Sequence, residues 1–222
     1  AGLATVSEQH MDLLLQLAQD RQQAVREEAL RCLRTAKCSA PQLHLIESLL
    51  VQYPESADLI QAVIEPASIS AGRPPVTDTK AWLAALDAIK GPADSENGRR
   101  IFNHGRVAQC AHCHRHSGRG NVVGPDLSRV GQRNDRVWLL QSILEPSQQM
   151  APEFMPRTIV LKDGRAFTGI RLRSYTHETI RDTHGQNRTF HRDEIESIAE
   201  SPISLMPAET VNILTNREIR DL

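Results

Sequence analysis

The stretch AQCAHCHRHSGRG, residues 108–120, contains the most informative residue pattern in the chain. Two residues separate Cys110 from Cys113, and His114 follows the second cysteine directly. The chain has 4 cysteines and 9 histidines among its 222 residues. With so few of each, this order is expected by chance only about 0.003 times. We therefore interpret the three residues as a functional motif.

The order Cys-x-x-Cys-His is the one that covalent attachment of haem requires. The two thiols add to the two vinyl groups of the ring and form thioethers, and this spacing lets both sulfur atoms reach one edge of the ring. The histidine that follows projects under the iron, where its imidazole binds as an axial ligand. The sequence predicts one covalently attached haem c, held by Cys110 and Cys113, with His114 as a ligand of the iron.

Three other interpretations of the cysteine pair stay open at this point. In a zinc site, His104, His112 or His116 would join the thiols, although no second pair lies at zinc-ribbon spacing. In a dithiol redox site, the cysteines would open a helix after a buried strand, whereas a helix and a polar loop precede them here. In the third, the cysteines are structural and the flanking histidines face solvent, as we expect of His112 and His116 in any case.

The overall composition is ordinary for a globular protein, with 40% hydrophobic and 24% charged residues. The formal net charge of -1 provides no global field that would attract nucleic acid or an anionic membrane surface. No apolar run approaches the roughly 18 residues of a membrane span. We therefore expect neither a nucleic-acid partner nor a direct membrane span.

Helical periodicity dominates the first part of the chain, up to about residue 90. Ser7 is a candidate N-cap of a first helix, a second helix fits residues 23–36, and two amphipathic segments lie on either side of Pro54. Short connections between such segments predict stacked helical hairpins, and residues 18–33 resemble one HEAT-type repeat. We expect a HEAT-like domain at residues 1–67, followed by a linker and one short helix at residues 68–92.

The pattern changes from residue 93 onward. A short helix with Ser95 as candidate N-cap precedes the motif, and a helix closed by Pro146 follows it. Residues then alternate between apolar and polar around two turns, KDG at 162–164 and HGQN at 184–187, which predicts two antiparallel hairpins. The chain ends in a loop and a helix that Thr215 caps. We expect a mainly α chain with a small antiparallel β insert at about residues 156–200.

Residues 95–222 resemble a class I c-type cytochrome domain. More narrowly, they resemble the haem-binding domain at the end of large dehydrogenase-like proteins of planctomycetes and verrucomicrobia. The resemblance rests on NGRRIF, CAHCH, GPDLSRVGQR, LLQSILEPSQQMAPEF, LKDGRAFTG and SLMPAETVNILTNREIRDL, which occur in the family's order. It implies a cytochrome c fold with one haem at residues 93–222.

The resemblance also implies roles for residues around the haem. Gly98 and Phe102 match a helix that crosses the C-terminal helix, where a glycine permits close approach. Trp138 would cover a haem edge or donate its indole N–H to a propionate, and a plain core role is the alternative.

A Gly-Pro-x-Leu loop follows the haem motif in the family, and Gly124, Pro125 and Leu127 match it. The Pro125 carbonyl would accept a hydrogen bond from the second ring nitrogen of His114, which fixes the tautomer and raises the basicity of the ligand. Leu127 would pack on the haem ring.

Met206 is the sixth iron ligand that the resemblance implies. Class I cytochromes place this methionine in a loop shortly before the last helix, often as Met-Pro, and SLMPAE at residues 204–209 matches. Met150 and Met155 lie where the narrower family varies, and packing explains them better. A minor alternative is bis-histidine ligation, in which one histidine of the insert replaces the methionine. The insert histidines are His177, His184 and His191.

These assignments imply an electron carrier that is not itself an enzyme. With His114 and Met206 both bound, the iron has no open position for a substrate, and methionine raises the potential relative to bis-histidine ligation. Electrons would pass from a partner or fused dehydrogenase to a respiratory acceptor, and the chain would be a domain of a larger dehydrogenase in the fused case. Covalent haem attachment implies the periplasm or an equivalent compartment.

The alternative function is that of a five-coordinate haem protein. If Met206 does not bind the iron, peroxidase-like or gas-sensing activity becomes possible, with His184 or His191 as acid–base residue if the insert covers the haem. The insert itself is interpreted as a lid, a docking surface or a purely structural addition. Whether Cys32 and Cys38 pair is left open.

Overall fold

A computed structural model describes residues 8–172 and 176–222. Within them the chain forms two compact units, each assembled from segments that are distant in sequence. The first, the helical unit, comprises the described residues of Ala1–Pro74, Ala81–Gln109 and Val211–Leu222. The second, the sheet unit, comprises the described residues of Pro75–Lys80 and Cys110–Thr210.

Helices and strands both contribute substantially to the described residues. The helices are α1 (Glu8–Leu17), α2 (Gln23–Leu33), α3 (Ala40–Gln52), α4 (Ala57–Ile64), α5 (Thr79–Asp87), α6 (Ser95–Asn103), α7 (Cys110–Cys113), α8 (Val130–Arg133), α9 (Arg136–Leu144) and α10 (Asn216–Asp221). The strands are β1 (Arg115–His116), β2 (Arg119–Gly120), β3 (Pro156–Leu161), β4 (Ala166–Leu172), β5 (His177–Arg181), β6 (Asn187–His191) and β7 (Ile195–Glu200). About 48% of the described residues are helical, 3-10 helices included, and these residues form two antiparallel sheets. The mainly α class was therefore too narrow, because a five-stranded sheet accompanies the helices.

The helices expected in the first part of the chain are confirmed as α1, α2, α3, α4 and α5. The predicted cap Ser7 lies outside the described residues. Ser95 is not the N-cap of α6 but its first residue. Asp94 caps this helix instead, because its carboxylate accepts hydrogen bonds from the backbone N–H groups of Glu96 and Asn97. Thr215 caps α10 as predicted and forms a capping box with Glu218.

Apolar residues at helical spacing form the core shared by α1–α4. Leu30 and Leu33 of α2, Ile46 of α3 and Ile60 of α4 are completely buried, and α2 and α3 each pack against α4. Hydrophobic burial of this kind stabilises the fold by about 1.5–3 kcal/mol for each large side chain.

Buried charges tie α2 to both α6 and α10 within the helical unit. The Arg31 guanidinium on α2 donates to the Glu218 carboxylate on α10 (Nε to Oε1, 2.8 Å) and to Asn97 on α6 (Nη2 to Oδ1, 2.7 Å). Arg34 donates to the same carboxylate (Nη1 to Oε2, 2.9 Å). Burial alone would raise the pKa of Glu218, but Arg34 and Arg31 lower it below its ordinary value. The helical unit therefore extends past the expected boundary at residue 67 and includes the last helix of the chain.

A second arginine holds the segment that leads into α10. Arg73 donates to Asn216 Oδ1 (2.9 Å) and to the carbonyl oxygen of Val211 (2.8 Å), and it also donates to the carbonyl oxygen of Leu214. Its guanidinium lies 5.3 Å from the ring centre of Trp82. Burial lowers the pKa of Arg73 to about 10. These bonds satisfy backbone carbonyls that precede the helix.

The sheet unit contains the antiparallel sheet that alternation predicted between residues 156 and 200. Its strand order is β6-β5-β4-β3-β7, so β6 and β7 are the edge strands. Ile159, Leu161, Ile180 and Phe190 form its core. The fifth strand, β7, was not predicted as a separate strand. Its residues are nearly all exposed, so they lack the alternation of a half-buried strand.

None of the described helices has the length and apolar character needed to cross a membrane.

Replacing Arg31 by alanine is expected to lower the free energy of unfolding of the protein by about 3–5 kcal/mol, because a buried carboxylate loses one of its partners. Urea unfolding followed by circular dichroism measures the effect. Arg99→Ala is the control, since Arg99 pairs with Glu96 at 2.8 Å on an exposed surface, where such pairs contribute little. Equal losses in the two variants would contradict a structural role for the buried network.

Candidate functional site

The motif cysteines form the single turn α7, and His114 follows it with its N–H bonded to the carbonyl oxygen of Cys110 (2.8 Å). Residues three apart on a helix share a face, so both sulfur atoms lie on one side of the turn. Ala108, Gln109 and Ser117 have φ of 60°, 54° and 49°, and no other non-glycine residue in the described chain has positive φ. Such conformations are costly, and here they flank the motif on both sides.

A tight hairpin reverses the chain directly after His114. Its strands are β1 and β2, and Ser117 and Gly118 at the turn both have positive φ, of 49° and 80°. Positive φ at both central residues characterises the type I′ turn, whose twist matches that of a hairpin. The reversal brings the residues after Gly120 back alongside α7.

The returning segment, residues 121–127, is called the motif loop. Three of its backbone N–H groups donate to carbonyl oxygens in or just after α7. Asn121 donates to Ala111 (2.9 Å), Gly124 to Cys113 (2.8 Å) and Leu127 to Arg115 (2.8 Å). The motif and its loop are therefore one hydrogen-bonded structure.

His114 is oriented by the motif loop. Its Nδ1 lies 2.9 Å from the carbonyl oxygen of Pro125. A carbonyl oxygen only accepts, so this bond assigns the proton to Nδ1 and leaves the lone pair on Nε2. Burial lowers the pKa of His114, although the bond to Pro125 acts in the opposite direction. The imidazole is therefore neutral at pH 7, which is the form that binds a metal.

Two glycines make room for this histidine. A Cβ on Gly124 would lie 2.5 Å from Cε1 and 2.8 Å from Nδ1 of His114, and one on Gly120 would lie 2.1 Å from the His114 carbonyl oxygen. Any side chain at either position would displace the histidine or its backbone. Gly124 was a predicted site residue, whereas Gly120 was missed, although it lies in a Gly-rich stretch.

The two motif thiols are unpaired and half-buried. Burial raises the pKa of Cys110 to about 11 and also raises the pKa of Cys113. Both are therefore thiols rather than thiolates at neutral pH. Two adjacent thiols and a neutral, oriented imidazole together fit the donor set that covalent haem attachment needs.

The zinc alternative finds no support in the described residues, where no three His, Cys, Asp or Glu side chains form a cluster that could hold a metal ion. His112 and His116 are exposed, as expected. His104 is buried in the helical unit, where its Nδ1 accepts from the backbone N–H groups of Arg106 and Val107. Its Nε2 lies 3.8 Å from the Cys32 sulfur.

Cys32 and Cys38, whose pairing the sequence left open, are both free thiols in this structure. Burial raises the pKa of each.

Gly98 and Phe102, expected at a helix crossing, both lie on α6 in the helical unit. A Cβ on Gly98 would lie 2.0 Å from the Asp221 carbonyl oxygen on α10, so the two helices approach as closely as a glycine allows. Phe102 is half-buried on the same helix.

Trp138 and Leu127 are half-buried in the sheet unit. The Trp138 indole N–H donates to Gln149 Oε1 (3.2 Å). Gln149 follows α9 closely in the chain, so this local partner is available to the indole.

Met206 is half-buried in the loop that follows β7. The Met206 N–H donates to Ser204 Oγ (3.1 Å), and the Ser204 N–H donates to Ser147 Oγ (3.0 Å), just after α9. These bonds tether the methionine loop to the segment that follows α9. Met150 and Met155 are also half-buried, so burial alone does not distinguish the three methionines.

Contacts from the insert to the motif loop were missed by sequence reasoning. Arg181 of β5 donates to the carbonyl oxygen of Val122 (2.9 Å), and Gly185 lies against Asn121. The two sides are about sixty residues apart in the chain, and no local pattern marks such a pair.

The family model described as Cytochrome c matches residues 95–222, more than half of the chain. The chain therefore belongs to the cytochrome c family, which carries covalently attached haem c and transfers electrons through it. Comparison with curated proteins gives no match.

Replacing Gly124 by alanine is expected to push the His114 ring away from Pro125 and to weaken their hydrogen bond. We expect the haem-loaded protein to lose about 1–3 kcal/mol of unfolding free energy through overpacking. Its midpoint potential should also rise, because the ligand becomes less basic. The measurements are urea unfolding and redox titration.

Gly131→Ala is the matched control, because a Cβ there meets no atom within 4 Å. A Gly124→Ala protein as stable as the Gly131→Ala protein, with the same potential, would refute the packing argument.

Proposed function

We propose that the chain is a monohaem electron carrier in which Cys110 and Cys113 hold the haem c and His114 is one axial ligand. The observation that carries this proposal is the hydrogen bond from His114 Nδ1 to the Pro125 carbonyl oxygen (2.9 Å). It leaves Nε2 as the only lone pair of the ring and makes the imidazole a stronger donor. When bound, the haem supplies one-electron chemistry between Fe(II) and Fe(III).

Met206 is proposed as the second axial ligand. Its loop is tethered through Ser204 to Ser147, and its side chain is half-buried rather than solvated. A thioether is a neutral, soft ligand that favours the reduced state of the metal. With both axial positions filled from the chain, the metal has no open site for a substrate, so the protein carries electrons without being an enzyme.

The remaining side chains of the site would position the haem. Leu127 would pack on the ring, and Trp138 would line its edge. Phe102 and Gly98, on α6, would belong to the crossing of α6 with α10 on which the family fold depends. A site held this firmly changes little between redox states, which favours fast electron exchange.

The surface around the motif favours a partner with an acidic face. Residues 110–136 contain five arginines and only two acidic residues, Asp126 and Asp135. The arginines are all exposed, and they are Arg115, Arg119, Arg129, Arg133 and Arg136. Clustered charge of one sign steers a complementary protein toward the site and raises the rate of encounter.

The biological setting is proposed from the resemblance described above. The chain would work in the periplasm or an equivalent compartment, taking electrons from a partner or fused dehydrogenase and passing them to a respiratory acceptor. The narrower family would be the haem-binding domain of dehydrogenase-like proteins, starting near residue 93. Residues 1–67 would be HEAT-like and serve as a scaffold or docking region, a role for which stacked helix pairs are suited.

Visible spectroscopy of the purified protein, with a pyridine haemochrome assay, tests the proposal. We expect covalent haem c and a weak ferric band near ~695 nm, as methionine–histidine ligation produces. Met206→Ala should abolish the band and lower the midpoint potential, whereas Met150→Ala and Met155→Ala should keep both unchanged.

Other outcomes separate the alternatives. If the band survives in Met206→Ala and is lost in Met150→Ala or Met155→Ala, the sixth ligand is that other methionine. A high-spin ferric spectrum of the unmodified protein would indicate five-coordinate iron and the peroxidase-like or gas-sensing function. A colourless protein from a host able to attach haem would refute the haem proposal.

Electron transfer from an acidic protein reductant should slow at high ionic strength. We expect the second-order rate constant to fall about tenfold between low and physiological salt, because screening weakens steering. Reversing the charge of Arg129 and Arg133 together should lower the low-salt rate in the same way. Reduction by a small neutral reductant is the control and should not change. A rate independent of salt would contradict the acidic partner.

A further inference from the structure

The hairpin formed by β5 and β6 contacts the motif loop within the sheet unit. We propose that this hairpin clamps the motif loop and thereby positions His114, with Arg181 as the positioning residue. The inference rests on the proposed role of His114 as an axial ligand and assigns a task to the β insert.

Arg181 is fixed at both ends of its guanidinium. Its Nε donates to Asn187 Oδ1 across the hairpin (3.0 Å), and its Nη1 donates to the carbonyl oxygen of Val122 (2.9 Å). The bond to Asn187 orients the guanidinium before it reaches the loop. A charged donor to a carbonyl oxygen is stronger than a neutral one, so Arg181 is a firm tether.

The tip of the hairpin makes a second contact. Gly185 has φ of 78°, and a Cβ built on it would lie 2.7 Å from the side-chain nitrogen of Asn121. The Asn121 side chain in turn accepts a hydrogen bond from the Val122 N–H (2.8 Å). The hairpin therefore approaches two adjacent residues of the motif loop, through a hydrogen bond to Val122 and a close approach to Asn121.

The hairpin tip is itself rigid. The buried Asp182 carboxylate accepts from the backbone N–H groups of His184 (3.0 Å) and Gln186 (2.9 Å), and from Arg188 Nε (2.9 Å). Hydrogen bonds from Gln186 and Arg188 lower the pKa of Asp182, so these bonds persist at neutral pH. Because these bonds fix the turn, the hairpin tip holds its shape where it contacts the motif loop.

The held residues lie next to the groups that orient the ligand. Val122 precedes the buried Val123, then Gly124 on the imidazole and Pro125, whose carbonyl accepts from His114. The loop is also bonded to α7 through the backbone N–H groups of Asn121 and Gly124. Loss of the Arg181 bond releases the Val122 carbonyl from the insert. We expect the loop to shift and the hydrogen bond at His114 Nδ1 to lengthen. A less basic imidazole stabilises Fe(III) less, and the midpoint potential rises.

The experiment uses haem-loaded protein with Arg181→Ala, Arg181→Lys and the control Arg165→Ala. Arg165 lies in the other turn of the same insert, where it pairs with Asp163, so its loss removes the same charge without touching the loop. Two quantities are measured: amide hydrogen exchange of the peptide spanning residues 119–125, and the midpoint potential.

We expect Arg181→Ala to speed exchange in that peptide by roughly three- to tenfold, as the loss of one hydrogen bond implies, and to raise the potential. Arg181→Lys should restore part of both, and Arg165→Ala should change neither. Unchanged exchange in Arg181→Ala would overturn the clamp, and faster exchange with an unchanged potential would overturn its link to His114. Hydrogen exchange needs no assumption about ligation, so the clamp fails or succeeds separately from the electron-carrier proposal, which the spectra decide.

Discussion

The hydrogen bond between His114 and Pro125 is the constraint on which the arrangement of the site depends. It holds the imidazole as the neutral tautomer with the Nε2 lone pair available. It requires the chain to return to α7, which the hairpin with Ser117 and Gly118 achieves through two positive φ angles. It also requires a residue without a Cβ at position 124, since the loop backbone lies directly against the ring. The positive φ angles and the glycine of this segment allow the Pro125 carbonyl oxygen to reach Nδ1 of His114.

Local patterns predicted the features that depend on residues close in sequence. The motif, the cap at Thr215 and two of the hairpins all require only short-range chemistry, whereas the loop with Gly124 and Pro125 was expected through the resemblance. The close approach at Gly98 was also foreseeable, but only through the resemblance, because nothing near Gly98 identifies Asp221 as its neighbour. The hydrogen bond from the Trp138 indole N–H to Gln149 was not part of any expectation.

Contacts between buried charged side chains could not be predicted from the sequence. An arginine in a helix is expected to face solvent unless its partner is known. Arg31 is fully buried against Glu218, 187 residues away. This pairing places α10 in the same compact unit as α2. Buried ion pairs contribute modestly to stability compared with apolar packing, but removing one partner is costly. They therefore specify which segments associate.

The β insert also makes contacts with residues that are distant in sequence, here with the motif loop. A cytochrome needs its axial histidine held while the charge of the metal changes, and a loop bonded only to a single turn of helix has few anchors. Arg181 adds an anchor to the motif loop besides its backbone bonds to α7, and Gly185 lies close to Asn121. Because the sheet behind them has its own apolar core of Ile159, Leu161, Ile180 and Phe190, it is stiff independently of the motif. An insert that is rigid by itself can impose a geometry on the loop, which a flexible extension of the same length could not do.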